Sequence, residues 1–243
     1  METRDYQPRV EEKVIKIKIP ALWVPHHKGK IAFAPSFVGP NTYRNVGSEI
    51  LKNGQQVPTG DYTASLIHPI YCASSVTNVS EFANIRSRMR NDWLWVFIRL
   101  GFTNKGVYSL QDLEAIGRSQ PLDIAELERM LKGGKELSWG GIRFSEDGKV
   151  RFAPKGSYVL GERTSKQLAK DGLMIVTYDV EGAEKCAEAS KTRRHNPITY
   201  GVDVSQEGVV EERVSAVFEN VDRLHFYGYD WLDYNNGYAF GVL

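Results

Sequence analysis

Gly29-Lys30-Ile31-Ala32-Phe33-Ala34-Pro35 returns later in the chain as Gly148-Lys149-Val150-Arg151-Phe152-Ala153-Pro154. Five of the seven positions are identical, and Ile31/Val150 is a β-branched exchange. The likeness extends downstream. Ser48-Glu49-Ile50-Leu51-Lys52-Asn53-Gly54 and Ser165-Lys166-Gln167-Leu168-Ala169-Lys170-Asp171-Gly172 both read as a serine N-cap, a short helix and a terminating glycine. Val57, Thr59 and Asp61 then fall opposite Ile175, Thr177 and Asp179. The offset is 119 between Gly29 and Gly148, and 118 between Thr59 and Thr177. A spacing this constant over roughly thirty residues points to an internal duplication with a period far too long for a solenoid. The predicted architecture is α+β: a mainly antiparallel or mixed sheet with packed helices, in two structurally related halves (an internal duplication). Residues 1–135 form the first half with a bridging helix and residues 136–243 the second, with one continuous sheet allowed. In each copy the glycine is a turn residue, the phenylalanine a core residue and Ala-Pro a strand terminator, and each copy is expected to open the main sheet of its half.

At 243 residues, with 42% apolar and 25% charged residues, the composition is that of a folded chain. Thirty-one basic against thirty acidic residues exclude a strongly basic nucleic-acid platform but not a local patch. Cys72 and Cys186 cannot build a disulfide framework, and both sit in helical patterns as expected buried thiols. No apolar run reaches membrane-spanning length, so a soluble, cytoplasmic protein without a membrane partner is expected. Asn78-Val79-Ser80 matches a glycosylation sequon that needs a secretory route to matter.

Residues 1–10 are polar. Val14–Pro20 alternates isoleucine with lysine, as a half-buried strand does. His26 and His27 are adjacent; on a strand they would point to opposite faces and could not share one ion, so no metal site is expected. Residues 36–47 and 155–163 read as loops at equivalent ends of the two halves, where a ligand site would sit. Helices are expected from Asp61 into the low seventies despite Pro69, and over Val79–Arg90. Trp93–Leu100 is the most apolar run and reads as a central strand covered on both faces, turning at residues 103–106 into a hairpin. Residues 111–135 read as helical, with Asp123 and Glu126 as a capping box. Asp147-Gly148 marks a second hairpin, with Ile142, Phe144, Val150 and Phe152 inward and Arg143 and Arg151 on the other face. Leu173–Tyr178 reads as a buried strand, Glu181–Lys191 as a helix with a Glu181–Lys185 pair, and the remainder as β, including Thr199–Val204, an Arg213–Phe218/Arg223–Tyr227 hairpin and a last strand after Asn235-Asn236-Gly237.

Chemistry is sparse. The sequence holds no G-x-S-x-G, Walker A, H-E-x-x-H, C-x-x-C or EF-hand pattern. Carboxylate pairs such as Asp230/Asp233 and Asp203/Glu207 are expected by chance among 30 acidic residues in 243. The aromatic and acidic residues from Tyr227 to Tyr234 could line a cation or sugar pocket, but the reading preferred is an ordinary exposed turn. Two basic runs stand out, each following a helix and preceding a strand: Arg86, Arg88 and Arg90, and Arg193, Arg194 and His195. They are the candidate anion or nucleic-acid contacts, set against the simpler role of offsetting helix C-termini. Three functions follow in order of support: a non-enzymatic binding or assembly module, with a homo-oligomer allowed and no cofactor expected; an anion- or nucleic-acid-binding accessory protein using the two basic runs; and an enzyme with a nonstandard site between the halves. The last requires a cavity onto which titratable groups converge.

Overall fold

The computed structural model of the chain describes residues 21–72, 79–229 and 234–243. The 1–10 stretch, the Val14–Pro20 strand, Asn78 of the sequon, and Asp230, Trp231 and Asp233 lie outside the described residues. The elements, in chain order, are β1 (Leu22–His26), β2 (Gly29–Phe33), β3 (Val38–Asn41), α1 (Tyr43–Lys52), α2 (Gly60–Cys72), α3 (Val79–Met89), β4 (Trp93–Phe102) and β5 (Gly106–Gln111). They continue with α4 (Ile124–Leu131), β6 (Lys135–Glu136), β7 (Arg143–Phe144), β8 (Val150–Pro154), β9 (Gly161–Glu162), α5 (Ser165–Leu168), α6 (Gly172–Lys191), β10 (Ile198–Tyr200), β11 (Glu211–Asn220), β12 (Arg223–Tyr229) and β13 (Gly237–Ala239).

The protein is α+β. One large sheet runs β6-β7-β8-β5-β4-β11-β12-β10-β9, with β13 beside β4 and β3 beside β13. Its pairs are antiparallel except β10 with β12 and β13 with β4. Alternate residues of β4 divide between two cores, as a strand buried on both faces requires. Leu94, Val96, Ile98, Leu100 and Phe102 meet α2, α3 and α6; Trp95 and Phe97 meet Tyr43, Val46 and Ile50 of α1. A third cluster packs Leu127 and Leu131 of α4 against Tyr108, Val150 and Phe152. The β4–β5 and β11–β12 hairpins begin 118 residues apart, at Trp93 and Glu211, and their inner strands pair with each other.

Several expectations change. The first copy of the echo, β2, does not open the main sheet; it pairs with β1 in a separate two-stranded hairpin, whereas β8 lies between β5 and β7. The serines are not the caps: Thr42 caps α1 and Thr164 caps α5, the latter in a full capping box with Gln167. Helix α1 therefore begins inside the expected 36–47 loop. Leu173–Tyr178 is helical, not a strand. Asp171 accepts from the Leu173 and Met174 amides, and the segment is buried on every side, so its apolar pattern carries no period to separate helix from strand. The expected 111–135 helix shrinks to a 3₁₀ turn at Gly117–Ser119 and α4, which follows Pro121 and is capped by Asp123. The Thr199–Val204 strand shortens to β10. Arg151 does not face outward. It is buried on the α6 side opposite Phe144, while Arg143 shares its face with Phe152, because both faces of this hairpin are covered. The helices over α2, with Pro69 inside it, α3 and the second part of α6, the central strand and three hairpins stand where the sequence places them. No helix among the described residues is long and apolar enough to cross a membrane.

Helix α2 lies on α6 with its first residue against the backbone of Thr177 and Tyr178. A Cβ at Gly60 would overlap the Thr177 carbonyl, which is fixed backbone. Gly60→Ala, normally helix-favouring, should instead cost about 2–4 kcal/mol. Urea denaturation checks this, and an unchanged midpoint would show that the two helices are free to separate.

Candidate functional site

Where α2 meets α6, the tip of the β1–β2 hairpin arrives as well. His27 and Lys28 are the two residues of its turn, and Gly29 at φ +122° lets the chain reverse. Because His27 is a turn residue, it does not alternate with His26. Their rings lie 3.9 Å apart, which corrects the opposite-face expectation. Around them stand Asp61 and Tyr62 from the first turn of α2, Asp179, Glu181 and Lys185 of α6, and Arg151 of β8.

Helix α6 is two helices joined at Asp179, whose φ 62°, ψ −177° is a conformation all but restricted to glycine. Holding a β-carbon there costs about 1–3 kcal/mol, and such outliers cluster at functional sites. Asp179 Oδ1 accepts the Gly182 amide at 2.8 Å and so starts the second segment as an N-cap would. Arg151 sits beneath, donating to the Gly148, Ile175 and Val176 carbonyls. Burial pushes its pKa down, and the Asp179 and Asp61 carboxylates oppose that.

The two histidines differ. The Lys28 amide donates to His26 Nδ1 at 3.2 Å, so the proton of the neutral ring sits on Nε2, facing Asp61 Oδ2 at 3.6 Å. Burial, then His27, lowers the His26 pKa despite Asp61. Only Nδ1 of His26 is hydrogen-bonded; Nε2 is buried with Asp61 near it but beyond hydrogen-bond reach. His27 instead turns Nδ1 toward Glu181 Oε2 at 3.5 Å, leaving Nε2 for a ligand. Lys185 bonds Glu181 at 2.9 Å and Ser65 Oγ at 3.0 Å, and holds the Glu181 carboxyl below the usual range. His27, Asp179 and Glu181, with Lys135, Leu137 and Phe144 opposite, line a cavity of about 260 Å³. A histidine held by a carboxylate, a second carboxylate and a lysine facing one cavity can exchange protons with a bound polar molecule. Among the described residues no group of three or more His, Cys, Asp and Glu is arranged to hold a metal ion.

The basic candidates do converge, though on protein groups. Arg90 Nε and Arg193 Nη1 lie 3.4 and 3.1 Å from the buried Glu219 carboxylate, which also accepts the Tyr71 hydroxyl at 2.9 Å. Arg86 and Arg193 stack over the Tyr71 ring. Arg193 also pairs with Asp222 at 2.9 Å. Arg88 leaves this group for Asp92 at 2.6 Å and the Phe37 ring at 3.8 Å. Arg194 and His195 are exposed, their amides bonded to Asp222. Glu219, read from sequence as a turn residue, organises the set; its place two residues after the inward Val217 was the signal.

A larger cavity of about 630 Å³ lies at Leu22, Phe37, Ile85 and Phe240, but its charged lining is Glu81 and the Arg88–Asp92 pair, without the convergence seen at His27. On β10 and β12, Tyr200 and Tyr227 stack within 1° at 4.2 Å, and His225 Nδ1 lies 3.2 and 3.1 Å from their hydroxyls. One face of each ring is thus taken by the other, and both residues are half-buried. Compared with protein-family models, curated proteins and solved structures, the chain gives no significant match.

Two measurements test this geometry. Asp179→Gly releases the backbone cost while losing a cap worth about 1 kcal/mol, so it should stay within about 1–2 kcal/mol of the parent or exceed it. Asp179→Ala keeps the strain, loses the cap and should be the less stable of the two in denaturant; the reverse order contradicts the assignment. Second, burial lowers the folded-state pKa of both His26 and His225. Above the ordinary histidine value of about 6.5 their stabilisation is complete. As pH falls from there through their lowered folded values, the unfolded chain takes up protons that the folded chain declines, and stability is lost. Urea midpoints should fall between pH 7.5 and 5.5, and less steeply in His26→Gln and His225→Gln.

Proposed function

We propose that the protein is an acid–base enzyme acting on a small polar substrate between its two halves. The observation that carries this is the convergence of His27, Glu181, Asp179 and Lys135 on one cavity, beside a non-glycine residue held in a glycine conformation. Hydrolysis is the reaction this set suits. His27 Nε2 takes a proton from water as the water oxygen bonds to an electrophilic carbon or phosphorus. Glu181 steadies the imidazolium, Lys135 faces the developing negative charge, and His27 returns the proton to the leaving group. The arrangement supports this reading over the non-enzymatic module, which rested on near-neutral charge, a large aromatic core and missing catalytic motifs; a nonstandard site carries no such motif.

The two halves fit a duplicated ancestor. Support comes from the 118-residue spacing of the long hairpins, from threonine caps on both α1 and α5, and from the contact of Gly60 with Thr177 and Tyr178. In this reading Asp61 and Asp179 are equivalent carboxylates at the junction. Relatives whose halves resemble each other more closely are the check, and halves no more alike than unrelated segments would count against it.

The catalytic reading is tested with p-nitrophenyl acetate and p-nitrophenyl phosphate as substrates and with ¹⁵N histidine spectra. His27→Gln and Glu181→Gln should each lower turnover by roughly 10²–10⁴-fold. The neutral His27 ring should carry its proton on Nδ1. A ring protonated on Nε2, or variants with parental turnover, would sink the assignment.

A further inference from the structure

A second cavity, of about 330 Å³, opens between the loop after β8 and helix α5. Its walls are Ser157 and Tyr158 on one side and Arg163, Lys166, Lys170 and Asp171 on the other. Three cations therefore face one carboxylate. That carboxylate is already committed: Asp171 accepts the Leu173 and Met174 amides on Oδ1 and the Val159 amide on Oδ2. Its nearest approach to Arg163 is 4.0 Å, beyond hydrogen-bond reach. Arg163 Nε is consequently buried without a hydrogen-bond partner, although its side chain is only 19% exposed. Arg86 Nε and Arg99 Nε are buried in the same way, but Arg86 lies over the Tyr71 ring and Arg99 is bonded to Glu212, whereas the ion pair of Arg163 is the 4.0 Å approach to Asp171; leaving a charged donor so costs desolvation without compensation. Lys166 and Lys170 are exposed and form no ion pair with any described residue. The other carboxylate close by, Asp203, is paired with Lys155 at 2.7 Å. The cavity thus keeps an excess of positive charge.

We infer that this cavity binds the phosphate group of a small phosphorylated molecule, with Arg163 at its buried wall and Lys166 and Lys170 at its mouth. An arginine fork set deep with mobile lysines outside matches a tetrahedral oxyanion, whose several acceptors take the fork and the point charges together. At about 330 Å³ the space falls at the lower end of small-ligand pockets and holds more than a bare ion. This site lies at the start of α6, with Asp179 and the His27 cavity beyond the end of its Gly172–Tyr178 segment, so it stands independently of the catalytic reading.

The test is calorimetric titration of the full chain with glycerol 3-phosphate, inorganic phosphate and sodium acetate, each against sodium chloride at equal ionic strength. Binding of glycerol 3-phosphate and phosphate above the chloride control is expected, with glycerol 3-phosphate the tighter and acetate much the weaker. Lys166→Gln/Lys170→Gln, at exposed positions, should weaken phosphate binding about tenfold or more with its thermal midpoint unchanged, and Arg163→Lys should do likewise despite keeping the charge. No response beyond chloride in the parent, or parental affinity in the double variant, overturns the proposal. Equal affinity for phosphate and glycerol 3-phosphate would overturn the assignment to a phosphorylated molecule.

Discussion

The ladder between Trp93–Phe102 and Glu211–Asn220 is the constraint on which the rest of the molecule depends. It is where the two long hairpins become one sheet, and its register shifts at a bulge between Val214 and Ser215. Beside the bulge Arg99, only 3% exposed, reaches Glu212 at 3.1 Å and the Gln120 carbonyl, while Glu212 also takes the Leu122 amide at 2.6 Å. A buried ion pair of this kind contributes little net stability against apolar replacements, but removing one partner strands a charge and costs about 3–5 kcal/mol. It therefore enforces register: a slipped ladder would leave Arg99 buried without Glu212. With the register held, residues 120–122 are pinned across the sheet and α4 is delivered to the β5–β8 side.

The same ladder decides the helix arrangement over the junction. Apolar β4 residues on one face set the floor for α2 and α6, and those helices approach closely enough at Gly60 that no side chain fits. Tight contact there brings Asp61 and Asp179 to the same region and leaves the β1–β2 hairpin tip to close it. The strained Asp179 follows from this geometry. The Gly172–Tyr178 segment must pass under α2 and then redirect, and a single residue absorbs the turn between two helices. The surrounding packing holds that residue outside its preferred conformation.

How much of this was legible depends on whether local chemistry or tertiary packing decided each element. Trp93–Leu100 was readable because its length and apolar content fit a doubly covered strand. Asp147-Gly148 was readable because a turn needs that chemistry wherever it occurs. Leu173–Tyr178 was not, since burial on all sides erases the period that separates helix from strand. The N-caps were missed by a few residues because Ser48 and Ser165 satisfy the same rule as Thr42 and Thr164, and only the structure shows which oxygen meets an amide. At the site, His26 and His27 are visible as residues but not as a pair, because strand alternation does not hold where His27 stands in a two-residue turn. Asp179 gave no local sign. Its significance lies in a backbone angle, which a sequence does not display unless the residue is glycine.

The basic runs show why charge in a sequence underdetermines binding. Arg90 and Arg193 face Glu219, and Arg88 faces Asp92, so these guanidiniums are engaged by partners far away in sequence or a turn along. Arg163, Lys166 and Lys170 never formed a run that composition would flag, yet they line one cavity with a committed carboxylate and an unsatisfied nitrogen. The discriminating quantity is the balance of charge after internal pairing, and that balance is set by what the fold places within a few ångströms. By this measure the cavity at the loop after β8 keeps cations in excess of its carboxylate, and the cavity lined by His27, Asp179 and Glu181 lies at the hairpin tip. The long β4–β11 ladder is the element that places both.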